Sequence, residues 1–131
     1  MSLQLKSIAS KIDKILEWYD TGCKVYEETS TIFANIPLIA HREYAKLNVY
    51  VGEEYEKVNV AFNIDITEEN RTQLIEFIDD FNIGSNLRAN IKGKTFIIRI
   101  IGTDWGIKYI DELIGALYKC DKDVKEITSK A

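Results

Sequence analysis

The stretch best equipped for chemistry is Ile91-Lys-Gly-Lys-Thr-Phe96, because Gly93-Lys94-Thr95 repeats the end of a phosphate-binding P-loop. In that motif loop amides and the N-terminus of a following helix hold the phosphates. It needs a glycine five residues before Gly93, where this chain has Arg88. It also needs a helix after Thr95, yet Phe96-Ile-Ile-Arg-Ile-Ile101 is short and β-branched, which predicts a strand. Both requirements fail, and Gly93 is read instead as a hairpin turn residue with positive φ.

The other chemical candidates reduce in the same way. Gly102-Thr-Asp-Trp-Gly106 could set an anion on a helix N-terminus, but Asp104 would repel it. Gly102 is expected to end a strand, Thr103 or Asp104 to cap a helix, and Trp105 to pack under the turn. His41 is the only histidine, so a two-histidine metal site is ruled out within one chain. Cys23, His41 and Cys120 come from three distant segments without paired ligand spacing, and His41 is expected to be a satisfied or exposed strand residue. The pairs Glu27-Glu28, Glu53-Glu54, Glu68-Glu69 and Asp79-Asp80 read as solvated charge on loops and helix faces. No cofactor, metal or catalytic residue is expected, and the chain is read as non-enzymatic.

The elements that would position any site follow from periodicity. Leu5, Ile8, Ile12, Ile15, Leu16 and Tyr19 share one face of a first helix, with Gly22 as its stop and Trp18 at the edge of the apolar stripe. Residues Lys24–Ile36 read as a β segment ending at Pro37, either one strand or two divided near Thr29-Ser30. Leu47, Val49 and Val51 alternate with polar residues, as do Val58, Val60, Phe62, Ile64 and Ile66, and Gly52–Tyr55 joins these two strands in a hairpin. Thr67, with Glu68 and Glu69, caps a second helix striped by Leu74, Ile75, Ile78 and Phe81 and closed by Gly84. Two strands meet at Gly93, and Ile107, Ile110, Ile114, Leu117, Val124 and Ile127 mark a long last helix. The order is α-βββ-α-ββ-α over a single domain, residues 1–131. The class is α+β, one antiparallel sheet with helices packed on one face.

That arrangement gathers one surface. If Leu47, Val49 and Val51 face the helices, then Arg42, Tyr44, Lys46, Asn48 and Tyr50 face away. Lys57, Asn59, Asn63, Arg88, Asn90, Lys92 and Arg99 fall on the same outer face. Two readings stand, a binding face or the ordinary polar side of a half-wet sheet.

Composition bounds the partners. With 131 residues, 46% hydrophobic and 29% charged, the chain has the make-up of a globular domain able to bury its own core. A net charge of −4 argues against a wholly basic surface seeking nucleic acid or anionic lipid, though not against a basic patch. No apolar run reaches membrane-span length, and Met1–Lys11 lacks a signal-peptide core, so no membrane association and a cytoplasmic location are expected. Cys23 and Cys120 are then expected to be buried thiols and not a disulfide.

The element order, with Phe77-Ile-Asp-Asp-Phe-Asn82 leading into the Leu87–Ile101 hairpin, resembles the type III secretion chaperone fold and the YbjN-type family. The resemblance lies in architecture over nearly the whole chain and carries over no functional residue. It implies a dimeric, non-enzymatic module that holds an extended partner segment. The expected function is therefore protein or peptide binding by a homodimer, through strand or side-chain contacts along the sheet. Tyr44, Tyr50 and Trp18 are its expected aromatic anchors. The alternative is single-stranded nucleic acid, with bases stacked on the tyrosines of a basic sheet face.

Overall fold

A computed structural model of the chain describes residues 2–52, 56–82, 87–100 and 107–129. The elements are α1 (Ser2–Leu16), β1 (Cys23–Tyr26), β2 (Thr31–Pro37), β3 (Tyr44–Val51), β4 (Glu56–Asn63), α2 (Arg71–Asn82), β5 (Leu87–Lys92), β6 (Thr95–Ile100) and α3 (Ile107–Ser129). All six strands join one antiparallel sheet in the order β1-β2-β3-β4-β6-β5. The fold is α+β, and the three helices cover one face of this sheet, α1 over β1 and β2, α3 over β4 and β6, α2 beside β5.

The expected interruption near Thr29-Ser30 is a full reversal, so the Lys24–Ile36 segment makes two strands. Glu27–Thr29 form a 3-10 turn and Ser30 takes a left-handed φ of 54°, folding β1 back onto β2. A similar device ends α1. The chain tightens into a 3-10 turn at Glu17–Tyr19, and Asp20 adopts a φ of 55°, its N–H donating to the Glu17 carbonyl. Asp20, and not Gly22, is therefore the stop; aspartate tolerates the left-handed region better than most side chains. Regular helix α2 begins at Arg71, four residues after Thr67. Thr67 and Asn70 exchange side-chain to backbone hydrogen bonds, and buried Asn70 also donates to the Asp65 carbonyl, so Glu68 and Glu69 sit in a turn ahead of the helix. The expected roles of Glu53–Tyr55, Gly84, and Gly102–Gly106 with its caps and Trp105 fall outside the described residues.

The core lies between the helices and the inner face of the sheet. Ile32, Leu47, Val49, Val60, Phe96 and Ile98 from the strands meet Ile12, Leu16, Leu74, Ile110, Leu113, Ile114 and Leu117 from the helices, all fully buried. Strict alternation along every strand assigns the opposite residues to the outer face.

Gly93 is the turn residue of the β5–β6 hairpin, where Lys92 pairs with Thr95. Its φ is +63° while Lys94 is not positive, the pattern of a type II′ turn, and Thr95 opens a strand and not a helix. A Cβ at Gly93 would meet nothing within 4 Å. Gly93→Ala is therefore expected to cost only the backbone strain, about 1 kcal/mol, read as a small fall in the denaturation midpoint. A loss several times larger would mean that the turn packs against more than solvent.

Candidate functional site

Register fixes which outer-face residues are neighbours. One cross-strand row runs through all six strands as Lys24, Phe33, Asn48, Asn59, Arg99 and Arg88. The next row on that face holds Asn35, Lys46, Ala61, Ile97 and Asn90. On the other side of the long row stand Tyr26, Thr31, Tyr50 and Lys57, and the ends of the face carry Tyr44 opposite Pro37 and Asn63-Thr95-Lys92. At about 4.8 Å per strand the long row measures about 24 Å.

The charge on this face is of one sign. Lys24, Lys46, Lys57, Arg88, Lys92 and Arg99 occupy outward positions, and no outward position of the six strands holds Asp or Glu. The rest of the chain then has 11 bases against 21 acids. Lys24, Lys46, Lys92 and Arg99 form no ion pair among the described residues. The aromatic rings of the face are Tyr44 (63% exposed), Tyr26 (50% exposed), and the half-buried Tyr50 and Phe33.

Most of the residues singled out in the sequence thus come together. Tyr44, Lys46, Tyr50, Arg88, Lys92 and Arg99 share the outer face. Arg42 does not, because β3 begins at Tyr44 and Arg42 lies in the preceding turn with a left-handed φ of 55°. Trp18 is 87% exposed but belongs to the 3-10 turn after α1, away from these rows. Lys24, Tyr26, Phe33 and Asn35 are additions the sequence reading missed. The alternation of Ile32, Ala34 and Ile36 with Phe33 and Asn35 was the available signal, left unused while Lys24–Ile36 was not resolved into two strands.

A second polar cluster lies on the opposite side of the molecule's logic: it is buried. Asp121 of α3 is 2% exposed and points at the β2–β3 turn. Its Oδ2 accepts the N–H groups of Ile39 (3.1 Å) and Ala40 (2.8 Å), and its Oδ1 accepts the N–H of His41 (3.0 Å). The His41 ring Nδ1 stands 2.7 Å from the same Oδ1 and the ring packs on Phe62 at 4.9 Å. Burial alone would raise the Asp121 pKa, but the Ala40 amide, the His41 ring and the His41 amide outweigh it and hold the carboxyl below its ordinary 3.8. His41 is accordingly a turn residue and not a strand one, its side chain largely covered and its ring satisfied by Asp121 at Nδ1. Its Nε2 is sealed from solvent and has no hydrogen-bond partner among the described residues. The ring, bonded to Asp121 and packed on Phe62, clasps the turn to α3.

The thiols belong to neither cluster's hydrogen bonds. Cys120 is buried, and Cys23 is half-buried beside Asp13. Burial first, then Asp13 at Cys23 and Asp123 at Cys120, pushes both thiols up to about 12. In native protein near neutral pH both are expected to alkylate at least about 100-fold slower than free cysteine, and at the free rate in denaturant. Fast native labelling at either position would contradict that burial. Among the described residues no cluster of three or more metal-ligating side chains occurs, and no helix is long and apolar enough to cross a membrane.

Compared with known proteins, the chain matches no family model, no curated protein and no solved structure.

Proposed function

We propose that this domain is a non-enzymatic, chaperone-like binding module that holds an extended segment of a partner protein against the outer face of its sheet. The observation that carries the reading is the sorting of charge: six cations and no acid at the described outward strand positions, in a chain whose net charge is −4. An ordinary wet sheet face mixes both signs, and the acids this chain has in excess lie elsewhere. Tyr44, Lys46, Tyr50, Arg88, Lys92 and Arg99 are the proposed contacts, with Lys24, Tyr26 and Phe33 joining them.

The test is selection of extended peptides from a random library on the immobilised domain. Recovered peptides are expected to compete with one another and to lose binding to Asn48→Glu, an exposed substitution at the centre of the face. The second reading, single-stranded nucleic acid, is favoured by the exposed rings of Tyr26 and Tyr44 beside cations. Failure to recover any peptide, together with tight binding of oligothymidine, would put that reading in its place.

The module is further proposed to work as a homodimer in the cytoplasm. Sedimentation at micromolar concentration is expected to give about twice the 15.1 kDa of the chain. A species at the chain mass would remove the dimer and leave the binding face untouched.

A further inference from the structure

A partner segment can meet a sheet in two ways, by adding a strand at an edge or by lying over a face. Strand addition needs a row of open backbone groups. Here the helices place side chains on both edges. On β1 the Cys23 N–H donates to the Asp13 carboxylate of α1 at 2.8 Å. On β5 the Ala89 N–H donates to the Asn82 side-chain oxygen at 2.7 Å, and the Asn82 amide donates back to the Ala89 carbonyl at 3.1 Å. The Leu87 carbonyl accepts from the Arg88 guanidinium at 3.0 Å. Asn82 thereby stands where the backbone of an added strand would pair.

The face offers what the edges withhold. Asn48 lies directly opposite Asn59 at its centre, with Asn35 and Asn90 in the adjoining row. A carboxamide donates and accepts as a peptide group does, so these side chains can satisfy the backbone of a chain resting on them. Lys24 and Arg99 flank the asparagine pair in the same row, four strand spacings or about 19 Å apart, a span that about six extended residues cover. The rings sit on one half of the face. Tyr26, Phe33 and Tyr50 stand at neighbouring positions of β1, β2 and β3, Tyr44 marks the other end of β3, and the outward positions of β4, β5 and β6 hold no ring. A nucleic-acid strand laid across the whole face would find nothing to stack on beyond β3.

We propose that the outer face takes an acidic, extended peptide laid across the strands, its carboxylates on the flanking cations and its backbone on the central asparagines. The proposal rests on the protein-binding reading above and narrows it to one chemistry and one mode.

The experiment is fluorescence polarisation with a labelled peptide of about twelve residues rich in glutamate, its glutamine counterpart, and oligothymidine of equal length, each at low and at physiological salt. The variants are Lys46→Glu/Arg99→Glu, both exposed sites on the face, and Val25→Pro, which removes an edge-facing N–H in phase with that of Cys23. The glutamate peptide is expected to bind, to weaken about tenfold or more with salt, to lose binding to the face variant, and to bind Val25→Pro unchanged. Equal binding of the glutamine peptide would overturn the acidic chemistry while leaving the protein-binding reading in place. Loss in Val25→Pro with binding kept in the face variant would move the segment to the edge and overturn the mode. Oligothymidine alone binding would sink both the proposal and the reading beneath it, and silence from every probe at low salt would reject the proposal. Matching melting curves for the face variant establish that its loss is one of contacts.

Discussion

Replacing Asp121 by alanine is expected to destabilise the domain by about 3–5 kcal/mol and lower its melting temperature by roughly 10–20 °C. The carboxylate accepts from three backbone N–H groups and a histidine ring, all at 3.1 Å or less. Removing it leaves those part-buried donors beside α3 without their acceptor, and an unmet buried donor costs about 1–3 kcal/mol. Asp121→Asn retains one acceptor oxygen and should lose less. The pH dependence follows from the lowered folded pKa of Asp121. A depressed carboxyl contributes stability that is fully present above its unfolded value, near the ordinary 3.8, and is lost as pH falls through the folded value. The gap in melting temperature between wild type and Asp121→Ala should therefore stay constant above about pH 5 and shrink on further acidification. A gap that grows in acid, or a variant as stable as wild type at pH 7, would show that the clasp does not hold the turn.

The second large effect belongs to the face. Lys46→Glu/Arg99→Glu is expected to weaken an acidic segment at least about 100-fold at low salt, since each reversal replaces an attraction by a repulsion of about 1–1.5 kcal/mol. Both residues are exposed and neither forms an ion pair among the described residues, so stability should change by no more than about 0.5 kcal/mol. Exchanging the charges for alanine should give about half the free-energy loss. A double reversal that binds as wild type does would remove this face from the site.

Much of the face was legible before any coordinates, for a physical reason. Alternation in β3 and β4 is unbroken, so once Leu47 and Val60 face inward, Tyr44, Lys46, Asn48 and Asn59 have no choice of side. What failed was local backbone geometry. Ser30, Asp20 and Arg42 adopt left-handed φ values without being glycine, and only Asp20 has a side chain that favours that region. Those three residues split one expected strand into a hairpin, moved the stop of α1, and took Arg42 off the face. Asp121 was a different omission. It lies four residues after Leu117 and three before Val124, an inward helical position, where an acid has to be matched by donors. The spacing was readable, but its partner turn lies 80 residues away in the chain. Only the tertiary structure supplies that pairing.

The most direct measurement is a two-dimensional amide and side-chain NMR titration of the labelled domain with an unlabelled glutamate-rich peptide. The account predicts shift changes concentrated at Lys24, Lys46, Asn48, Asn59 and Arg99, with the Asn48 and Asn59 carboxamides among the largest. Changes confined instead to the groove of about 520 Å³ formed by Ile66, Leu74, Ile75, Ile78 and Ile91, or to the backbone edge at Val25, would contradict it.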